Sequence, residues 1–193
     1  MSHPELITED FTLRALRVQD APALVELNND PHTQYFTTVP APYTELDAHW
    51  FIDYAQRASE EGSEFIWAID YSGAYAGTIA LRLPEANPDS PGSRGSLGFA
   101  THPNFRRRGI MKRAVQMVLG FGFDPQGLGL DEITWSALEG NEASIALARS
   151  VGFSDFWITI DSAQERVLPD GRTVTRNEMH ARMSRADFAA IWR

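Results

Sequence analysis

The sequence predicts a single α/β (α+β) domain over residues 1–193, with a mixed, mostly antiparallel central sheet flanked by helices. Three observations carry that expectation. At 193 residues and 43% hydrophobic content, the chain is long enough for one sizeable core, and its 22% charged share is ordinary for a folded protein. Strand-like and helix-like stretches alternate, yet the early and late strands come in hairpin-like pairs, which argues against a purely parallel sheet. No repeat, low-complexity stretch or break in composition marks a second domain.

The elements follow in order. Residues 11–18, FTLRALRV, alternate in hydropathy and read as a strand. Residues 20–30, DAPALVELNND, read as a helix, with Asp20 as N-cap and Pro22 tolerable in the first turn. A second helix is expected over 44–62, capped by Thr44, with Asp47 at its positive end and Gly62 as its stop. Residues 64–83 read as two strands around a Ser72–Gly73 turn, and 84–93 as a turn-rich loop. A strand over 94–101 leads through His102–Pro103 into a helix over 109–123. A strand (131–138), a helix capped by Asn141 (141–153), a long hairpin (156–183) tipped by Pro169–Asp170–Gly171 and a short closing helix (184–192) complete the chain.

Composition excludes several functions. There is no cysteine, which removes disulfides, thiolate metal sites and a cysteine nucleophile, and no metal is expected. No apolar run approaches the roughly 20 residues of a membrane span, and the start lacks the basic-then-apolar pattern of a secretory signal. The expected location is therefore cytoplasmic, with no membrane partner. With 17 basic against 26 acidic residues, and a net charge of −9, an extended basic face for nucleic acid is not expected.

Against that background Arg106, Arg107 and Arg108 stand out. They lie between the end of one strand and the start of a helix, directly before Gly109. The free N–H groups of a helix N-terminus, its dipole and adjacent guanidinium groups suit a phosphate or pyrophosphate. A solvated basic loop is the alternative. No Gly-Lys-Ser/Thr follows, so this is not a P-loop, and the glycines of a dinucleotide fingerprint are absent. About thirty residues on, a second helix starts at Asn141, with Ser144 in its first turn.

The strand GSLGFATHP (95–103), the motif RRRGIM (106–111) and the pair GNEAS and ARSVGF (140–153) resemble the GNAT superfamily of N-acetyltransferases. The opening FTLRALRVQDAPALVELNNDPHTQYF (11–36) is similar to the branch that includes ribosomal-protein-alanine N-acetyltransferases. The resemblance runs over roughly residues 9–183. It implies a GNAT-like sheet, acetyl-CoA as acyl-donor substrate, and a primary amine as acceptor, either a peptide N-terminus or a small molecule such as an antibiotic, polyamine or amino acid. The family's [Gln/Arg]-x-x-Gly-x-[Gly/Ala] loop wraps the coenzyme pyrophosphate. Arg106 and Gly109 match its first and fourth positions, and Met111 stands where Gly or Ala is usual. The implied coenzyme-binding set is Phe99, Ala100 and Thr101 on the strand, Arg106, Arg107, Arg108, Gly109, Ile110 and Met111 in the loop, and Asn141 and Ser144 on the second helix.

Without cysteine, direct transfer is the natural route. The resemblance places Ser144 near the coenzyme sulfur as candidate general acid, and gives the oxyanion to a backbone N–H around 99–101. Many relatives carry a glutamate in the central strand, but residues 96–101 are SLGFAT. Glu139, Glu165 and His102 are the candidate bases. An α-amine, with a reference pKa near 8, needs less help from a base than a lysine near 10.4, which leans the reading towards an N-terminal or otherwise weakly basic amine. The acceptor pocket is expected from the first two helices, the 84–93 loop and the final hairpin, with Tyr35, Phe36, Tyr43 and Trp50 as a candidate wall. A non-catalytic acyl-CoA-binding module of the same fold is the competing class. A homodimer is an expectation on general grounds alone.

Overall fold

Residues 65–69, FIWAI, are apolar at every position, and all five side chains are buried. A strand of that kind needs cover on both faces, so it belongs inside the sheet. The computed structural model describes residues 3–83, 93–167 and 171–192, leaving aside the side chains of 161–167 and Arg176. Its elements are β1 (Leu6–Ile7), β2 (Phe11–Ala15), α1 (Ala21–Asn29), α2 (Pro31–Phe36), α3 (Glu45–Glu61), β3 (Glu64–Tyr71), β4 (Ala74–Arg82), β5 (Arg94–Thr101), α4 (Ile110–Phe123), β6 (Glu132–Leu138), α5 (Glu142–Ser150), β7 (Ser154–Val167), β8 (Thr173–Ser184) and α6 (Arg185–Ile191). The strands form one sheet in the order β1-β2-β3-β4-β5-β6-β8-β7. Only β5 and β6 run parallel; every other neighbouring pair is antiparallel.

Helices cover the two faces. On one, Leu24 and Leu27 of α1 and Ala48 and Ile52 of α3 pack with Ala68 and Tyr75. On the other, Ile110, Ala114, Val115, Val118 and Leu119 of α4 join Ile145 and Ala148 of α5 over Leu13, Trp67, Ile79, Leu81 and Ile133. The expected boundaries of α3 hold for local reasons. Thr44 Oγ1 accepts the Asp47 N–H (3.3 Å), Asp47 accepts the Thr44 N–H (2.7 Å), and Gly62 ends the helix at φ 74°.

Two expectations are corrected. The first strand stops at Ala15, and Val18–Asp20 form a 3-10 turn. Arg14 is buried and holds both Asp20 oxygens (2.8 and 2.9 Å) and Asp70 (2.9 Å), so an ion-pair knot draws the chain round. The expected helix over 20–30 is followed at once by a second one. Asp30 breaks the first with ψ 132°, and its carboxylate caps the second by accepting the Thr33 N–H (3.0 Å), with Pro31 in the first turn. Residues 84–92 of the expected loop, and 168–170 at the expected hairpin tip, lie outside the described residues.

One irregularity shapes the rest. β5 stays paired with β4 as far as Thr101, but with β6 only from Arg94–Glu132 to Leu97–Trp135. Beyond that rung the two strands part, while β6 continues beside β8 to Leu138. Trp135 is sealed at this last rung, 1% exposed and edge-on to Phe156. Gly77 lies opposite Thr101 with φ 150°, where a Cβ would sit 2.4 Å from the Ala100 carbonyl oxygen. The close approach of β4 to the free end of β5 therefore requires glycine. Gly77→Ala is expected to lower unfolding free energy by about 2–3 kcal/mol, read as a lower urea midpoint at unchanged m-value.

Candidate active site

Backbone groups of successive strand residues face opposite neighbours. On β5, Gly95 turns its carbonyl to β6, where Thr134 Oγ1 donates to it (3.2 Å), and His102 turns its N–H to Ala76 of β4 (2.9 Å). By that alternation Phe99 and Thr101 face the β6 side, beyond the last rung of the β5–β6 ladder. The Thr101 carbonyl receives Arg106 Nε–H (3.3 Å).

Past β5 the chain makes a short 3-10 turn over Pro103–Phe105, then passes through Arg107 (φ 59°) and Gly109 (φ 73°) into α4. These left-handed residues turn the backbone so that the helix starts against the free end of the strand. Arg113 N–H bonds the Gly109 carbonyl (3.3 Å), so the N–H groups of Ile110, Met111 and Lys112 precede the first closed turn and have no partner within the helix. They lie at the positive end of a fourteen-residue helix. Across the opening, Asn141 Oδ1 caps α5 by accepting the Ser144 N–H (3.2 Å), which leaves Ser144 half-buried on the cleft side.

The opening is a cleft of about 510 Å³. Phe99, Ala100, Thr101, Arg106, Arg107, Arg108, Gly109, Ile110, Met111, Asn141 and Ser144 all line it. The three arginines are not equivalent. Arg106 pairs with Asp30, Arg108 lies over the Phe105 ring (5.2 Å to its centroid), and Arg107 is exposed. Met111 is both cleft lining and core, 6% exposed.

The candidate bases fall elsewhere. His102 is buried, its Nε2 3.2 Å from Glu26, its ring edge-on to Tyr75 and Phe105, and it is not among the lining residues. Glu139 is exposed; its carboxylate accepts from Asn177 Nδ2–H (3.0 Å), and it too is outside the lining. Glu165 sits in β7 opposite Thr175, and its side chain lies outside the described residues. Of the candidate acceptor wall, Phe36 reaches the cleft, with Tyr35 edge-on to it. Tyr43 is core, and Trp50 stacks on Tyr54 at the outer surface.

Sequence reasoning missed the wall that α2 supplies: His32, Thr33 and Thr37 beside Phe36. The local signal was the Asp30–Pro31 pair, a cap followed by proline in the first turn. Two groups there are shifted. Burial pushes the Asp30 carboxyl up, but the Arg106 guanidinium and the Thr33 N–H outweigh it and hold the group below the usual carboxylate range. Burial and the Arg106 charge hold the His32 imidazole below its ordinary value, against the pull of Asp30. His32 on the cleft wall thus takes a proton less readily than an ordinary imidazole. Among the described residues that line the cleft there is no carboxylate, and the described residues contain no cluster able to hold a metal.

A family model described as acetyltransferase (GNAT) domain matches residues 10–154. The uncharacterized N-acetyltransferase p20 of Bacillus licheniformis is 26% identical over 151 residues, covering 77% of this chain and 81% of its own. Among solved structures, the microcin C7 self immunity acetyltransferase MccE, in complex with acetyl-CoA and AMP, superposes with a TM-score of 0.72 at 18% identity, covering 92% of this chain and 93% of that one. RimL, a ribosomal L7/L12 alpha-N-protein acetyltransferase in complex with coenzyme A, gives 0.74 at 16% identity, covering 93% and 96%. At these identities the structural likeness is one of fold.

The imidazole shift makes a direct prediction. In an NMR titration the His32 midpoint is expected to fall below the ordinary imidazole value of 6.5. Because the unfolded imidazole takes its proton first, this group supports the fold above that pH and subtracts from stability as pH falls through the native value. A midpoint at or above 6.5 would contradict the environment described for α2.

Proposed function

The chain belongs to the acetyltransferase (GNAT) domain family, and on that premise we propose that it transfers acetyl from acetyl-CoA directly to a primary amine, the α-amine of a protein N-terminus being the favoured acceptor. One observation carries the reading: the β5–β6 fork, where an unpaired strand edge and two helix N-termini meet in one cleft. That combination suits a long, thin donor with an anionic end.

Acetyl-CoA supplies an acyl group activated as a thioester. The rest is assigned to this chain's residues. The N–H groups at the start of α4, with Arg107, Arg108 and Lys112 beside them, hold the pyrophosphate. Met111 in place of a small residue does not block this role, because its side chain turns into the core. Phe99, Ala100 and Thr101 offer the strand edge to the pantetheine arm, and an N–H of that edge supports negative charge building on the thioester oxygen. Asn141 fixes the first turn of α5, which presents Ser144 as the group that returns a proton to the departing thiolate.

The acceptor class follows from proton chemistry. A lining without a carboxylate, judged on the described residues, suits an amine that is already partly neutral. An α-amine with a pKa near 8 meets that condition, and a lysine near 10.4 does not. His32, which lines the cleft on the α2 wall, is the group we assign to take the released proton, directly or through water.

Calorimetry tests the donor site. Acetyl-CoA is expected to bind, and free pantetheine, which lacks the pyrophosphate, is expected not to; equal binding of both would remove the anion loop from the reading. Ser144→Ala is expected to lower kcat by about 100-fold at an unchanged unfolding midpoint, and unchanged turnover at saturating substrates would take serine out of the mechanism. In an acceptor screen, peptides with a free N-terminus should exceed N-blocked lysine peptides and polyamines in kcat/KM; the reverse order would move the reading to small-molecule amines.

A further inference from the structure

Arg106 stands first in the anion-loop motif, yet its guanidinium is committed inside the chain. Nη2 and Nη1 donate to the two Asp30 oxygens (2.5 and 3.3 Å), Nη2 also reaches Thr33 Oγ1 (3.4 Å), and Nε donates to the Thr101 carbonyl (3.3 Å). One planar group thereby joins the end of β5, the cap of α2 and the first turn of α2. The pair is sheltered, with side-chain exposures of 32% for Arg106 and 14% for Asp30. Charge-assisted, forked contacts in such a setting are stronger than an open surface pair.

The first turn of α2 is held by the Asp30 cap and by Arg106. The helix is six residues long, too short to persist on helix propensity. Its two buried residues, Thr33 and Gln34, are both polar. Gln34 anchors the other end through the Asn28 and Pro40 carbonyls (2.5 and 2.9 Å). Hydrogen bonds at both ends help set where this helix stands, and it carries His32 and Phe36, with Thr37 at its C-cap, into the wall of the cleft.

We propose that Arg106 is a positioning residue that seats the acceptor-side helix α2 on the coenzyme loop, so that filling the loop and placing the acceptor are coupled through the Arg106–Asp30 pair. This rests on the acetyl-CoA site proposed above. When an anion orders residues 106–111, the rigid fork of Arg106 transmits that order to Asp30 and hence to the wall. A lysine cannot do the same, because one ammonium cannot span the Asp30 carboxylate and the Thr101 carbonyl in the geometry of the fork. Phosphate binding is left to the backbone N–H groups, Arg107, Arg108 and Lys112.

The decisive variants are Asp30→Asn and Arg106→Lys. Asparagine is as good an N-cap as aspartate, so the first keeps the start of α2 while removing the ion pair. The second keeps the charge and loses the fork. Acetyl-CoA affinity is measured by calorimetry, and amide hydrogen exchange of residues 33–37 is followed with and without acetyl-CoA. In the wild type acetyl-CoA should slow that exchange by about fivefold or more. In both variants the affinity should stay within about threefold, with the slowing lost, and KM for a tetrapeptide with a free N-terminal alanine should rise by about tenfold. Retained slowing in either variant overturns the proposal. So does a drop in acetyl-CoA affinity beyond about tenfold in Arg106→Lys with none in Asp30→Asn, because Arg106 would then act on the coenzyme itself. Wild-type protein that binds no acetyl-CoA would refute the donor site, and the coupling with it, a result distinct from either variant outcome.

Discussion

The hydrogen-bond ladder between β5 and β6 ends after four rungs, and the cleft depends on that ending. A strand inside a sheet normally satisfies its backbone on both sides. Here the outer half of β5 keeps β4 and loses β6, so an edge opens in the interior of the sheet. Both α4 and α5 begin beside it, each with the unsatisfied N–H groups that any helix start carries. Backbone donors from three elements thus converge without any single side chain having to be exceptional. The parallel pairing of β5 and β6 is what brings both helix starts to the same end, because each follows its strand in the same direction.

Electrostatics at the cleft is local. The net charge of −9 opposes an anionic ligand at long range, but solvent ions screen that field over about 8 Å at physiological salt. Within that distance the cleft holds Arg107, Arg108, Lys112 and the end of α4. Asp30 neutralises Arg106, and this separates the run of three like charges. The repulsion that makes such a run awkward in sequence is relieved by an ion pair on one side and an aromatic ring under Arg108 on the other.

Much of this was legible in the chain, for reasons that are local. The capping box at Thr44 and Asp47, the left-handed Gly62, the strand at 94–101 and the Asn141 cap all rest on residues a few positions apart. The motif spacing also picked out residues that lie together: every member of the set that the resemblance implies lines the cleft. What was not legible depends on residues distant in sequence. Arg106 meets Asp30 across 76 positions, and no periodicity records that. Arg14 also reaches Asp70 across 56 positions, so the knot that gathers Asp20 is anchored on a neighbouring strand that the local sequence does not show. Six-residue α2 is too short to show a helical period, and aromatic content alone could not send Phe36 to the cleft, Tyr43 to the core and Trp50 to the surface.

Trp135 gives the fork an optical consequence. The chain has five tryptophans. Trp67 and Trp135 are sealed at 0% and 1% exposure, whereas Trp50, Trp157 and Trp192 are open at 60%, 43% and 39%. Iodide in solution extinguishes the fluorescence of open indoles and leaves sealed ones emitting at short wavelength. Of the two that survive, Trp135 occupies the last rung before the strands part, so water admitted at that rung would redden its emission. The sealed rung at the base of the fork thus has a spectral reporter of its own, with no label needed.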